Sequence, residues 1–292
     1  MSNPMHRLPG EHVYDGMVLA RPFTARSLDL LKTTVLDDSD VVIATFPKAG
    51  TTVMQEITYL IQSDGDFETS DKVPLEARSI YMEATHPMKG KFLDDYLKIN
   101  PPRLWKTHLP AKFFEETLKK SKTKFVVVLR NPKDVLVSMF YFYKANKLLG
   151  NFTGTWDEYF QMFQDDHLVY GNYFDSILSW WALRDNPNVT IVMYEDIVTD
   201  PTKVIRQVAA FLGKTLSDDL VDKIASRTKF DNMKKIPTIN FANLPIQRND
   251  IAPFMRKGKV GDWRNHFSEE QSKIVDEMYK KRCVEKGLIM QF

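Results

Sequence analysis

A single cysteine, Cys283, stands among 292 residues. No internal disulfide can form, which fits a reducing compartment and sets aside the disulfide-stapled secreted class. No apolar run approaches the roughly 18 residues that a membrane helix needs. Residues 1–21 contain no apolar segment of the secretory kind, so a cytoplasmic chain without a membrane partner is expected. Charge of one sign is lacking too: a formal net charge of +2 offers no extended basic surface, and no nucleic-acid partner is expected. Repeats, low-complexity tracts and linker-like stretches are missing, which leaves one domain over residues 1–292. With 43% hydrophobic residues, a chain of this length can bury one large core. The G-x-x-x-x-G-K-[ST] loop is also absent, which disfavours an ordinary Mg-ATP site.

What is present begins with DVVIATFPKAGTTVMQEITYLI, Asp40 to Ile61. The β-branched run Val41, Val42, Ile43 predicts a strand covered on both faces. Val53, Met54, Ile57, Leu60 and Ile61 recur at helical spacing and predict a helix over 50–61. The first N–H groups of a helix lack internal partners and carry partial positive charge, so an anion satisfies both deficits. Gly50 permits close approach, Lys48 adds a full charge, and the Thr51 and Thr52 hydroxyls can donate to phosphoryl oxygens. Taken alone, the segment also fits an ordinary strand-to-helix connection.

Further segments extend the pattern. In RLWKTHLP, an extended chain projects Lys106 and His108 to the same side, placing a cation and a base on one wall. KFVVVLRNPKDVLVSMFYFY predicts a strand over 125–129, an Asn131 N-cap and Pro132 at the first position of a helix over 132–143. Arg130 then lies at the carboxyl end of a strand, where ligands gather in open α/β sheets, and Ser138 lies about two turns into the helix. An ion pair of Arg130 with Asp134 is the structural alternative. PFMRKGKVGDW, a basic cluster with Arg256 and Lys257 broken by Gly258 and Gly261, reads as a loop that can fold around an anion or as a solvated basic loop. Val189–Met193 predicts a third buried strand, followed by a helix over 201–212. Strands alternating with helices predict an α/β domain with a central parallel sheet and helices on both faces. The stretches 64–102 and 234–256 exceed ordinary loop lengths and are expected to cover a site as lids.

FPKAGTT, KTHLP, RNPKDVLVS, YEDI and RKGKVGDW, in this order and spacing, closely resemble the cytosolic sulfotransferases, and the resemblance covers the chain from about Val13 to Phe267. It implies transfer of a sulfuryl group from 3′-phosphoadenosine 5′-phosphosulfate (PAPS) to a hydroxyl or amine of a small acceptor, leaving adenosine 3′,5′-bisphosphate (PAP). No metal is implied. The resemblance places Lys48, Gly50, Thr51 and Thr52 in a P-loop-like phosphosulfate-binding loop. Lys106 would stabilise the group in transfer and His108 would act as general base. Arg130, Ser138, Arg256, Lys257 and Gly258 would hold the 3′-phosphate, with Tyr194, Thr228 and Phe230 lining the adenine pocket. By family position Phe23, Tyr81, Phe142 and the Phe241 to Gln247 loop would line the acceptor pocket beside Lys106 and His108. Aromatic walls with one histidine favour phenolic or steroid-like acceptors.

The chain departs from the family pattern twice. Val53 stands where an adenine-stacking Trp is usual, and loss of an aromatic stack costs about 1–3 kcal/mol in single-stranded nucleic-acid sites. The usual dimer contact, K-x-x-x-T-V-x-x-x-E, is degraded to Arg264, Ser268, Glu269 and Lys273, which leaves a homodimer open. Two other classes stay open: a P-loop-like kinase or nucleotide hydrolase, and a non-catalytic nucleotide-binding protein on the same fold.

Overall fold

A computed structural model describes residues 6–84, 93–242 and 244–292. Its centre is a five-stranded, all-parallel sheet of β1 (Val41–Thr45), β2 (Ile80–Tyr81), β3 (Leu104–Thr107), β4 (Lys124–Leu129) and β5 (Val189–Met193), in the order β2-β3-β1-β4-β5. Parallel pairing needs covered faces, and the strands alternate between two cores. Val42, Ala44, Trp105, Phe125 and Val127 face one core, packed on α2 (Pro132–Ala145) and α3 (Tyr173–Trp181). Val41, Ile43, Val126 and Val128 face the other, against α1 (Thr51–Gln62), α5 (Pro201–Phe211) and α6 (Asp218–Arg227). The short α4 (Tyr194–Thr199) links β5 to α5, and α7 (Glu269–Arg282) closes the chain. The expected α/β layering is therefore observed, with element ends displaced by one or two residues.

Local chemistry sets the helix starts. Asn131 accepts from the Asp134 N–H, and Pro132 occupies the first turn. Asp200 caps α5 in the same way. The base of the sheet is pinned by Asp40, which is fully buried. Its carboxylate accepts from the Arg103 guanidinium at 2.6 Å and from the Arg103 backbone N–H at 2.9 Å, while its carbonyl accepts from the Lys124 N–H at 3.1 Å. One residue thus sets the register of β1 against both neighbours.

The expectation of irregular lids needs correction. The stretch 64–102 contains short helices at Phe67–Lys72, Leu75–Arg78 and Leu93–Leu97 as well as β2, and residues 85–92 lie outside the described residues. Buried Leu75, Met233 and Ile239 pack these two stretches against each other, so a small core of their own holds them. An N-terminal hairpin, His12–Tyr14 with Met17–Leu19, has no counterpart in the sequence reading. Among the described residues no helix is long and apolar enough to cross a membrane.

Removing one partner of a buried ion pair leaves the other uncompensated. Asp40→Ala is expected to lower the unfolding free energy by about 3–5 kcal/mol, read as a lower urea midpoint at unchanged slope.

Candidate active site

Each strand delivers a chemically distinct residue at its carboxyl end, as open α/β sheets do at their switch point. After β1 the chain turns through Phe46 to Gly50 into α1. Lys48 takes φ +65° and Gly50 φ +114°. A Cβ at Gly50 would lie 2.6 Å from Tyr194 Cδ2, so the glycine is required by both backbone and neighbour. As the N-cap of α1, Gly50 offers no side chain to the first N–H groups, and the helix opens as a donor cradle. Thr51 is buried and Thr52 half-buried at its start.

Cations converge on this turn. Arg130, beyond β4, is buried, donates to the carbonyls of Lys48 at 3.0 Å and Lys259 at 3.3 Å, and stacks 4.1 Å from the Tyr194 ring centre. The Asp134 ion pair is stretched to 4.0 Å, because Asp134 is committed elsewhere: it accepts from the Gly261 and Trp263 N–H groups at 2.7 and 3.0 Å. Lys48 donates to the Phe254 carbonyl at 3.3 Å and lies 4.0 and 4.7 Å from the Phe254 and Phe142 ring centres. Burial, then repulsion from Arg130, Arg256 and Lys106, pushes its ammonium down to about 7. Lys48, Ser138, Phe142, Phe254 and Arg256 line one cleft.

The basic loop is not a free cluster of charge. Arg256 and Lys257 both pair with Asp262 at 2.7 Å. Burial acts to raise the Asp262 carboxyl, but bonds from Lys257, Arg256 and Asn265 prevail and hold it far below the usual carboxylate range. The loop therefore folds around two carboxylates, Asp134 and Asp262. Gly258 lies under Phe230, where a Cβ would come within 2.0 Å of the ring. Thr228 is buried at the end of α6 and donates to the Ile224 carbonyl at 2.8 Å. Val53 is half-buried and packs on the Leu75, Met233 and Ile239 cluster with Met255 and Phe241.

At the end of β3 the base side is built. The His108 Nδ1 lies 2.9 Å from the Thr45 carbonyl oxygen. A carbonyl accepts and cannot donate, so the bond assigns the ring proton to Nδ1 and leaves Nε2 with its lone pair. Burial, then repulsion from Lys106, pushes the imidazole down to about 3, which keeps it neutral. The Thr45 hydroxyl lies 3.2 Å from Nδ1 and 2.7 Å from the Thr51 hydroxyl, tying base and anion loop together. Lys106 sits 4.2 Å from the Tyr81 ring centre, and Tyr81 meets His108 edge-on at 5.3 Å, so one wall does carry both. Burial pushes Lys106 down to about 8, against the pull of Glu83 and Glu76. Phe23 joins Tyr81 at 6.0 Å, whereas Phe142 lies against Phe254 at 6.0 Å on the Lys48 side. In the Phe241 to Gln247 loop, Phe241 stacks on Phe254 at 4.7 Å, Gln247 reaches the cleft, and position 243 lies outside the described residues.

Comparison with known proteins gives this geometry a family. Residues 38–287 match the model of the sulfotransferase domain. The chain is 36% identical to sulfotransferase 1C2 of Rattus norvegicus over 91% of its length and 90% of that protein's. The chain belongs to the sulfotransferase family. Among solved structures, a retinol dehydratase in complex with androsterone and the inactive cofactor PAP superposes with a TM-score of 0.85 at 26% identity, over 96% of this chain and 90% of that one. A mouse sulfotransferase, SULT7A1, complexed with PAP superposes with a TM-score of 0.74 at 28% identity, over 93% and 94%.

In this sulfotransferase two of the four residues set against the usual dimer contact have partners within the chain. Ser268 caps α7, and Arg264 donates to the Phe292 carbonyl at 3.0 Å. Sequence reasoning missed Glu83, Tyr170 and Phe254, which touch His108 or Lys48. Of these, Glu83 had a legible signal, a lone acid in the apolar stretch IYMEA.

Gly50→Ala forces both a left-handed alanine and a clash, a strain of about 1–3 kcal/mol. It is expected to lower the melting temperature and weaken PAP binding at least about 10-fold, since the donor cradle must shift. Gly16→Ala is the control: φ is +81° but nothing lies within 4 Å of its Cβ, so PAP binding should hold.

Proposed function

We propose that this sulfotransferase moves a sulfuryl group from PAPS to a hydroxyl or amine of a small aromatic or steroid-like acceptor, with His108 as general base. The observation that carries the reading is the Thr45 junction. One strand end bonds the imidazole at 2.9 Å and the first threonine of the anion loop at 2.7 Å, so base and donor cradle share a rigid element. The Nε atoms of Arg130 and Arg256 are buried without partners among the described residues, as expected of groups reserved for an anion. The donor, when bound, supplies the sulfuryl group and a phosphate leaving group.

The chain's own residues supply the rest. Lys48 and the α1 N-terminus with Gly50, Thr51 and Thr52 hold the 5′ end, and Lys106 adds charge where the equatorial oxygens gather electron density. Arg130, Ser138, Arg256, Lys257 and Gly258 hold the 3′-phosphate. Val53, Tyr194, Thr228 and Phe230 surround the base, with Phe230 over Gly258 in place of a tryptophan stack. Phe23 and Tyr81, with Phe142 on the Lys48 side, line the space for the acceptor, whose proton goes to His108 Nε2. The low basicity of His108 comes first from burial and then from the nearby Lys106 and Lys48, and the negative charge of the donor opposes it. The PAP-containing neighbours and the steroid bound in one of them support this choice of donor and acceptor class. Cytoplasmic placement is supported by the single buried cysteine, Cys283.

His108→Asn is expected to slow transfer at least about 100-fold while PAP affinity stays within about 3-fold, because a general base contributes to the barrier and not to nucleotide binding. Equal losses in both would contradict the assignment.

The Lys48 shift has a second consequence. Near 7 when free, its pKa must rise when an anion binds, so binding takes up protons above neutrality. PAP affinity is expected to fall as pH rises from 7 to 9. Calorimetry in buffers of different ionisation enthalpy should show proton uptake, and Lys48→Met should abolish most of it.

A further inference from the structure

We propose that Glu83 and Tyr170 are positioning residues for this reaction, holding His108 and Tyr81 in one hydrogen-bonded frame against which the acceptor seats. The inference rests on the reading of His108 as the base. Glu83 follows β2 and is completely buried. Its Oε2 has no hydrogen-bond partner among the described residues, and the two groups that donate to Oε1 both belong to the site. Its Oε1 accepts from the His108 backbone N–H at 2.7 Å and from the Tyr170 hydroxyl at 3.2 Å. Because the Tyr170 proton is spent on the carboxylate, the Tyr81 hydroxyl must be the donor in the bond between the two tyrosines. The bonds therefore run from Tyr81 through Tyr170 to Glu83, which also accepts the bond donated by the His108 backbone N–H.

The rings complete the frame. Tyr81 and Tyr170 flank the imidazole edge-on, at 5.3 and 5.4 Å with interplanar angles of 79° and 77°. Tyr170 also meets Phe23 at 5.2 Å. With Nδ1 fixed on Thr45 and both tyrosines against the ring, Nε2 is the atom left for the acceptor. Tyr170 adopts φ +71°, a left-handed conformation uncommon for a bulky residue. Strain of this kind survives where the surroundings over-determine it. Here the Tyr170 N–H donates to the Val18 carbonyl at 2.9 Å, the Val169 N–H to the Tyr143 hydroxyl at 2.7 Å, and the Gly171 N–H to the Leu168 carbonyl at 2.8 Å. In that conformation the Tyr170 ring and hydroxyl are aimed at His108, Tyr81 and Glu83.

The test compares Glu83→Ala, Glu83→Gln, Tyr170→Phe and His108→Asn in the full chain, with PAPS and a simple phenol, reading kcat, acceptor KM, PAP affinity and melting temperature. Glu83→Ala and Tyr170→Phe are expected to lower kcat at least about 10-fold with PAP affinity within about 3-fold, because misplacing a reacting group costs rate more than donor binding. Glu83→Gln, whose amide oxygen can accept the same two bonds, is expected to recover most of the rate. Tyr170→Phe keeps the ring and decides the matter if Glu83→Ala fails to fold. Near-normal kcat in Tyr170→Phe overturns the proposal, as does a loss of kcat matched by loss of PAP affinity, or a glutamine variant as slow as the alanine. An active His108→Asn enzyme would sink the base reading itself. An inactive one beside normal Glu83→Ala and Tyr170→Phe enzymes would sink the positioning frame alone.

Discussion

The organisation of the site depends on the last residue of the central strand. Thr45 uses its carbonyl to hold the His108 ring and its hydroxyl to reach Thr51 at the mouth of α1. Both partners are buried, and β1 is paired with β3 through Ala44 and with β4 through Thr45, so the distance between the His108 ring and the start of α1 is set by the sheet. A site carried on rigid strands can be more accurate than one carried on loops, which matters for in-line transfer.

A second constraint is electrostatic. Lys48, Lys106, Arg130 and Arg256 crowd into a space from which water is partly excluded. Burial pushes both Lys48 and Lys106 down, and repulsion from Arg130, Arg256 and Lys106 adds to the shift of Lys48. Such a cluster is costly in the free protein and gains when several negative charges arrive together. The protein moderates the cost locally: Asp262 holds Arg256 and Lys257, Asp134 folds the loop that carries them, and the Phe254 carbonyl holds Lys48. Glu83, completely buried and pushed up to about 7 by burial, accepts from the His108 backbone N–H.

Much of this was legible in local sequence. Continuous apolar runs at Val41–Ile43, Phe125–Leu129 and Val189–Met193 mark strands buried on two faces, and Asn131 with Pro132 marks a helix start, because those signals need no distant partner. The residues that depend on long-range pairing were not legible. Glu83 and His108 meet through the pairing of a two-residue strand with β3, and Tyr170 owes its left-handed backbone to Val18, far away in sequence. The basic loop illustrates a third case. Its charges are plain in the sequence, but their pairing with Asp262 and the commitment of Asp134 to backbone N–H groups appear only once the loop is folded. The three-residue strands of the N-terminal hairpin are too short to carry a periodic signal.

The central claim is that the cleft is built for a nucleotide phosphorylated at both ends of the ribose. The most direct measurement is a calorimetric titration with PAP, run beside 5′-AMP and Mg-ATP. PAP is expected to bind at least about 100-fold more tightly than 5′-AMP, since the 3′-phosphate gains charge-assisted bonds from Arg130 and Arg256, and Mg-ATP should bind weakly. Equal affinity for PAP and 5′-AMP would remove Arg130, Ser138 and Arg256 from their roles and contradict the account.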